Sequence, residues 1–142
     1  MKKYRILILL LITLQSTFVF GQVPVNFNDC EYDMFFISAE TNPSWKVDSI
    51  TKVDYFNNYL ADNNELKGVT GKIILGILVF ELGKTCCHSF FDMTNSKLKP
   101  EIFKNAVNKM PDWEPAKQKG KNIIFLFNLV LNIKNGKFID EK

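Results

Sequence analysis

The sequence predicts an α+β domain, with a small three-stranded antiparallel sheet and two helices packed on one face in the order αββαβ. Three observations carry that prediction. Within residues 122–134, Ile123, Phe125, Phe127, Leu129, Leu131 and Ile133 fall on one face by strict alternation, the two-residue period of a half-buried strand. Ile102, Phe103, Ala106, Val107 and Met110 recur instead at helical spacing and form one stripe. Residues 72–82 and 85–92 are two β-prone runs joined through Gly83-Lys84, a tight turn in which glycine supplies positive φ.

Each element has a physical start and stop. Asp48 or Ser49 can cap a first helix with apolar positions Ile50, Val53, Phe56, Tyr59 and Leu60, and Asp62-Asn63-Asn64 ends it. Pro100 suits the first turn of the second helix, where no donor is needed, and Pro111 stops that helix. Asn135-Gly136 closes the last strand. Residues 22–47 are irregular, with only residues 32–37 apolar and β-prone enough for a strand. The second helix carries the chain back across the sheet, so the last strand runs antiparallel to the first and lies beside it. The expected order is second, first, third, which leaves the last strand on an open edge.

The 142 residues suffice for one domain, residues 48–142, and not for two with separate cores. A net charge of +3, spread along the chain, is far from the field a nucleic-acid binder needs. Lys117, Lys119 and Lys121 form one short basic turn of the kind normally solvated. At the N-terminus, Lys2, Lys3 and Arg5 precede an apolar run at residues 6–14, and Val19-Phe20-Gly21 offers a cleavage site after Gly21. Residues 1–21 therefore read as a signal peptide for export to the periplasm or beyond. The alternative is an inner-membrane anchor at residues 6–20, but such a helix spans only about 22 Å of a hydrocarbon core of roughly 30 Å.

An exported chain keeps disulfides. Cys30 can bridge to Cys86 or to Cys87, leaving one thiol over; alternatively all three are small buried hydrophobes. Catalysis has little to stand on. Neighbouring strand residues point to opposite faces, so Cys87 and His88 do not share a proton. Cys86 and His88 could grip a soft metal, but two ligands are too few, and Met34, Met93 or Cys30 would have to supply a third. The carboxylates Glu40, Asp48, Glu65, Glu81, Asp92 and Glu101 are scattered, and Gly68, Gly71 and Gly76 do not lead into a helix N-terminus. The expectation is a non-enzyme without cofactor or bound metal.

Residues 109–121 contain Met110, Pro111, Trp113 and Pro115 at a helix end, followed by a basic turn with Gly120 that enters the long alternating strand. This pattern resembles the TonB C-terminal domain, in the stand-alone exported form common in Bacteroidetes. Residues 127–133 are similar to that family's final strand and residues 68–73 to the entry of its first. Without the family, Pro111 and Pro115 simply hold the chain extended around a Trp113 that caps the core. The resemblance implies a partner-binding domain in envelope transport, capturing an extended protein or peptide segment, such as one from an outer-membrane transporter, by strand addition. Carried over, the edge is Asn122, Ile124, Leu126, Asn128, Val130 and Asn132. The chain departs from TonB in lacking a Pro-rich spacer and in having Val130 where the family usually has Pro.

Two alternatives attach to the same surfaces. The edge can be covered by the N-terminal segment or by a second copy, giving a homodimer. The outer sheet face, with Ile74, Leu78, Phe80, Ile124, Leu126 and Val130, is too apolar for solvent and calls for a cover. The favoured cover is residues 23–47, and a partner protein is the other.

Overall fold

The computed structural model describes residues 23–140. The leader predicted at residues 1–21, and the alternative anchor at 6–20, lie outside them. Among the described residues no helix is long and apolar enough to cross a membrane.

The elements in chain order are β1 (Val25–Asn26), α1 (Lys52–Tyr59), a 3-10 turn (Asn64–Leu66), β2 (Gly71–Val79), β3 (Thr85–Thr94), α2 (Pro100–Asn108), β4 (Ala116–Gln118), β5 (Lys121–Ile123), β6 (Phe125–Lys134) and β7 (Lys137–Ile139). They form a five-stranded sheet of order β1-β3-β2-β6-β7 and a separate two-stranded β4-β5 hairpin. This corrects the expected three-stranded sheet. The chain is α+β, but short strands flank the β3-β2-β6 centre on both sides, and all pairings are antiparallel.

The physical reasons are local. Asn135-Gly136 does not merely end a strand. Both residues take positive φ, and the turn sends Lys137–Ile139 back along β6. A Cβ at Gly136 would also lie 2.4 Å from the Leu66 carbonyl oxygen, so only glycine fits there. The expected strand at 122–134 is divided: residues 121–123 fold back on β4, and only Phe125 onward joins the large sheet. Residues 32–37 form no strand, only an isolated bridge at Phe36.

Both helices pack on the face of Ile73, Leu75 and Ile77, all fully buried. Phe56 of α1 sits 5.6 Å from Phe138, and Phe103 of α2 stacks at 5.0 Å on Phe90. Asn57 closes the outer edge of β7, because its side-chain amide donates to the Phe138 carbonyl and accepts from the Phe138 N–H, each at 2.9 Å. The cap of α1 is Thr51, not Asp48 or Ser49. Its hydroxyl accepts from the Asp54 N–H at 3.0 Å while the Asp54 carboxylate accepts from the Thr51 N–H. Thr51→Ala is expected to lower the free energy of unfolding by about 1 kcal/mol, read from the midpoint of a urea transition.

Candidate partner-binding edge

Residues 27–45 form a strap around the sheet. At the β3 edge the Phe27 N–H donates to the His88 carbonyl, and Cys30 is bonded to Cys86. The strap then crosses the outer face to the opposite edge. There the Phe36 N–H donates to the Ile124 carbonyl at 2.9 Å, and its carbonyl accepts from the Leu126 N–H at 2.8 Å. Farther on, Thr41 and Ser44 bridge to Lys117 and Glu114, and Trp45 reaches the helical side, 5.5 Å from Trp113.

The Phe36 bridge sets the direction of every main-chain group on β6. Even-numbered residues point outward, and odd-numbered ones pair with β2. The six predicted edge residues therefore do not form one open border. Asn122 lies in β5, paired with Lys117, and its side chain donates to the Glu81 carbonyl. Ile124 and Leu126 are engaged by Phe36, and Asn132 by Ile139 of β7. Among the described residues, the groups that β6 keeps free are the Leu126 carbonyl and both main-chain groups of Asn128 and Val130; outside that strand, the Ile124 N–H and the Asn122 main chain, which faces away from Lys117, also lack a main-chain partner. Val130 is 45% exposed.

This free stretch opens into two spaces. A cavity of about 610 Å³ lies between β6 (Leu126, Phe127, Asn128) and the strap (Ile37, Ser38, Asn42). A second, of about 440 Å³, is lined by Phe127, Asn128 and Leu129 together with Trp45, Lys52 and Trp113. The edge is thus a slot, closed at one end by Phe36 and at the other by β7.

The outer sheet face is arranged in cross-strand rows. Cys86, Leu78 and Leu126 make one, Ser89, Gly76 and Asn128 the next, and Phe91, Ile74 and Val130 the third. The strap crosses at the first row, where Leu78 is fully buried. Tyr32 and Phe35 cluster there with His88, each 5.9 Å from its ring. Cover is therefore partial, and the Phe91-Ile74-Val130 row stays half open. A bulge opposite Gly76 and Ile77 makes His88 the extra residue of β3.

The motif residues have structural work. Trp113 is 3% exposed, packs 5.0 Å from Phe127, and its main-chain N–H donates to the Gly83 carbonyl. Gly83 has a φ of +86°, and a Cβ there would lie 2.2 Å from the Trp113 carbonyl oxygen. Pro111 and Pro115 flank that contact in an extended connector, and Gly120 turns the β4-β5 hairpin. The Trp113 indole N–H is buried without a partner among the described residues.

The chemistry that could have competed is spent or separated. Cys86 is oxidised to Cys30, which removes it from any ligand pair with His88, whose Nδ1 lies 3.4 Å from the Tyr32 hydroxyl. Among the described residues, no three His, Cys, Asp or Glu side chains converge on a metal position. Cys87 is buried on the core face, and desolvation pushes its thiol up to about 12, so it is a neutral packing group. Asp92 accepts from the Thr94 and Leu98 N–H groups, Glu40 from the Lys119 N–H, and Glu65 pairs with Lys99.

Sequence reasoning offered the N-terminal segment as a cover for this edge without locating the bridge at Phe36, and it missed β7 and Lys52. The Asn135-Gly136 pair was the available signal for β7, and none marked Phe36 or Lys52. Compared with family models, curated proteins and solved structures, the chain matches none.

Proposed function

We propose that this protein is an exported, non-catalytic binding module of the cell envelope, similar in action to the TonB C-terminal domain, which captures an extended partner segment beside β6. The observation that carries this reading is the free main chain at Leu126, Asn128 and Val130, with a cavity of about 610 Å³ beside Leu126 and Asn128. Main-chain bonds from such an edge give affinity without demanding particular side chains. The slot sets the length. Between the Phe36 bridge and β7 it admits about five residues, or roughly 17 Å of strand. An outer-membrane transporter segment of that length is the partner class the resemblance favours.

The slot also weighs against pairing of β6 with β6 of a second copy. That strand runs ten residues, and its continuation would collide with β7 or with Phe36. Self-association is better served by the half-open outer face, where Met93 and Val130 are both exposed. Concentration-dependent sedimentation would favour that second reading.

Titration of the labelled protein with extended, capped pentapeptides tests the first reading. The amides of residues 126–130 are expected to shift, and Val130→Pro, which removes an outward donor without touching the β2 ladder, is expected to abolish the response. Shifts elsewhere only, or an unaltered response in the Pro variant, would overturn strand addition at this edge.

A further inference from the structure

We infer that the slot selects an extended segment with an acidic residue at its centre, received by Lys52 beside Trp113; this rests on the strand-addition reading above. The register comes first. An antiparallel strand docking on the outward groups of β6 pairs twice with Asn128 and twice with Val130. It places its middle residue directly opposite Leu129. Directly opposed residues project to the same face. Since Leu129 packs into the helix-side core, the middle side chain of the incoming segment points to the helical side of the sheet. The cavity there is the one of about 440 Å³ lined by Phe127, Leu129, Trp45, Trp113 and Lys52.

The same wall carries the polar side chains of Asn42, Ser44 and Asn128, and its one charged side chain is Lys52. The Lys52 ammonium lies 5.7 Å from the centre of the Trp113 ring and makes no ion pair among the described residues. The nearby Asp54 carboxylate is committed to the Thr51 cap. The Trp113 indole N–H is the buried side-chain donor left without an acceptor among the described residues. The positive charge of Lys52, with no carboxylate on the same wall to balance it, favours a carboxylate over an amide, and an amide over a cation. An apolar middle side chain would fill the space but leave the Lys52 charge without a partner.

The flanking positions follow from the rows of the outer face. The residue opposite Val130 prolongs the Phe91-Ile74-Val130 row and is best β-branched and apolar. The one opposite Asn128 prolongs the Ser89-Gly76-Asn128 row and is best small and polar. Read in its own direction, the preferred core of the partner segment is apolar, acidic, polar.

Three capped pentapeptides with Val-Glu-Thr, Val-Gln-Thr or Val-Lys-Thr at the centre test this by amide-shift titration of the whole protein. The Glu peptide is expected to bind about fivefold tighter than the Gln peptide at low salt, the upper end for a half-exposed ion pair. The Lys peptide should be weaker still. Lys52→Gln should erase the Glu-over-Gln difference, as should salt of about 1 M, where screening acts within roughly 3 Å. Equal affinities for all three peptides, with residues 128–130 still shifting, would overturn the acidic preference and leave the edge reading standing. A Glu preference that survives Lys52→Gln would also overturn it. No shift with any peptide would remove both.

Discussion

Replacing Cys30 and Cys86 together by serine is expected to lower the unfolding free energy by about 4 kcal/mol. The bond joins residues 56 apart, and closing a loop of that length restricts the unfolded chain by about that amount in the chain-entropy account. The loss has a structural counterpart. The disulfide pins the strap at the β3 edge, before it crosses the outer face to Phe36. Without it, Phe36 keeps two main-chain bonds, but the crossing segment has lost its anchor. Urea unfolding gives the magnitude, and hydrogen exchange at residues 30–37 reports whether the strap has loosened. A change under about 1 kcal/mol would mean the strap is held chiefly by its own contacts. Cys87 is no substitute partner, because it lies on the core face of β3 while Cys86 faces outward.

Phe103→Ala is expected to cost about 3–5 kcal/mol, the range for deleting a buried ring in a core that cannot close around the void. Phe103 is fully buried, stacks on Phe90 of β3 and meets Phe138 of β7 edge-on at 6.4 Å. One ring therefore ties α2 to both sides of the sheet. The control is Phe36→Ala. Phe36 is 41% exposed and holds the edge through its main chain, which alanine retains, so a change within about 0.5 kcal/mol is expected. Comparable losses for both variants would contradict the placement of the core. Because β7 closes one end of the slot, Phe103→Ala should also raise exchange at residues 137–139 before global unfolding.

The periodic segments were legible because their signals are local. The alternation of residues 125–133 and the helical stripe of residues 102–107 follow from which side chains must share a face, whatever the rest of the chain does. The hairpin around Gly83 was legible for the same reason. The short strands were not. Val25–Asn26 and Lys137–Ile139 are too brief for a period to show, and they are strands only because β3 and β6 offer unpaired groups. Residues 32–37 illustrate the reverse case. Their composition suits a strand, yet the chain there crosses the sheet face and pairs at Phe36 alone.

At the candidate site, the alternation of β6 already says that even-numbered residues lie opposite the buried face. Which of them keep free main-chain groups depends on Phe36 and Ile139, which lie far from Leu126 or close to Asn132 in sequence but act only through space. By itself the sequence determined which side chains must leave water, where the second helix begins at Pro100, and where the turns at Gly83 and at Asn135-Gly136 fall. The tertiary structure alone decided how wide the sheet is, which cysteines join, and how much of the last long strand stays open. Those outcomes depend on pairing between distant segments, and a backbone group's partner is set by what packs beside it, not by the residue that carries it.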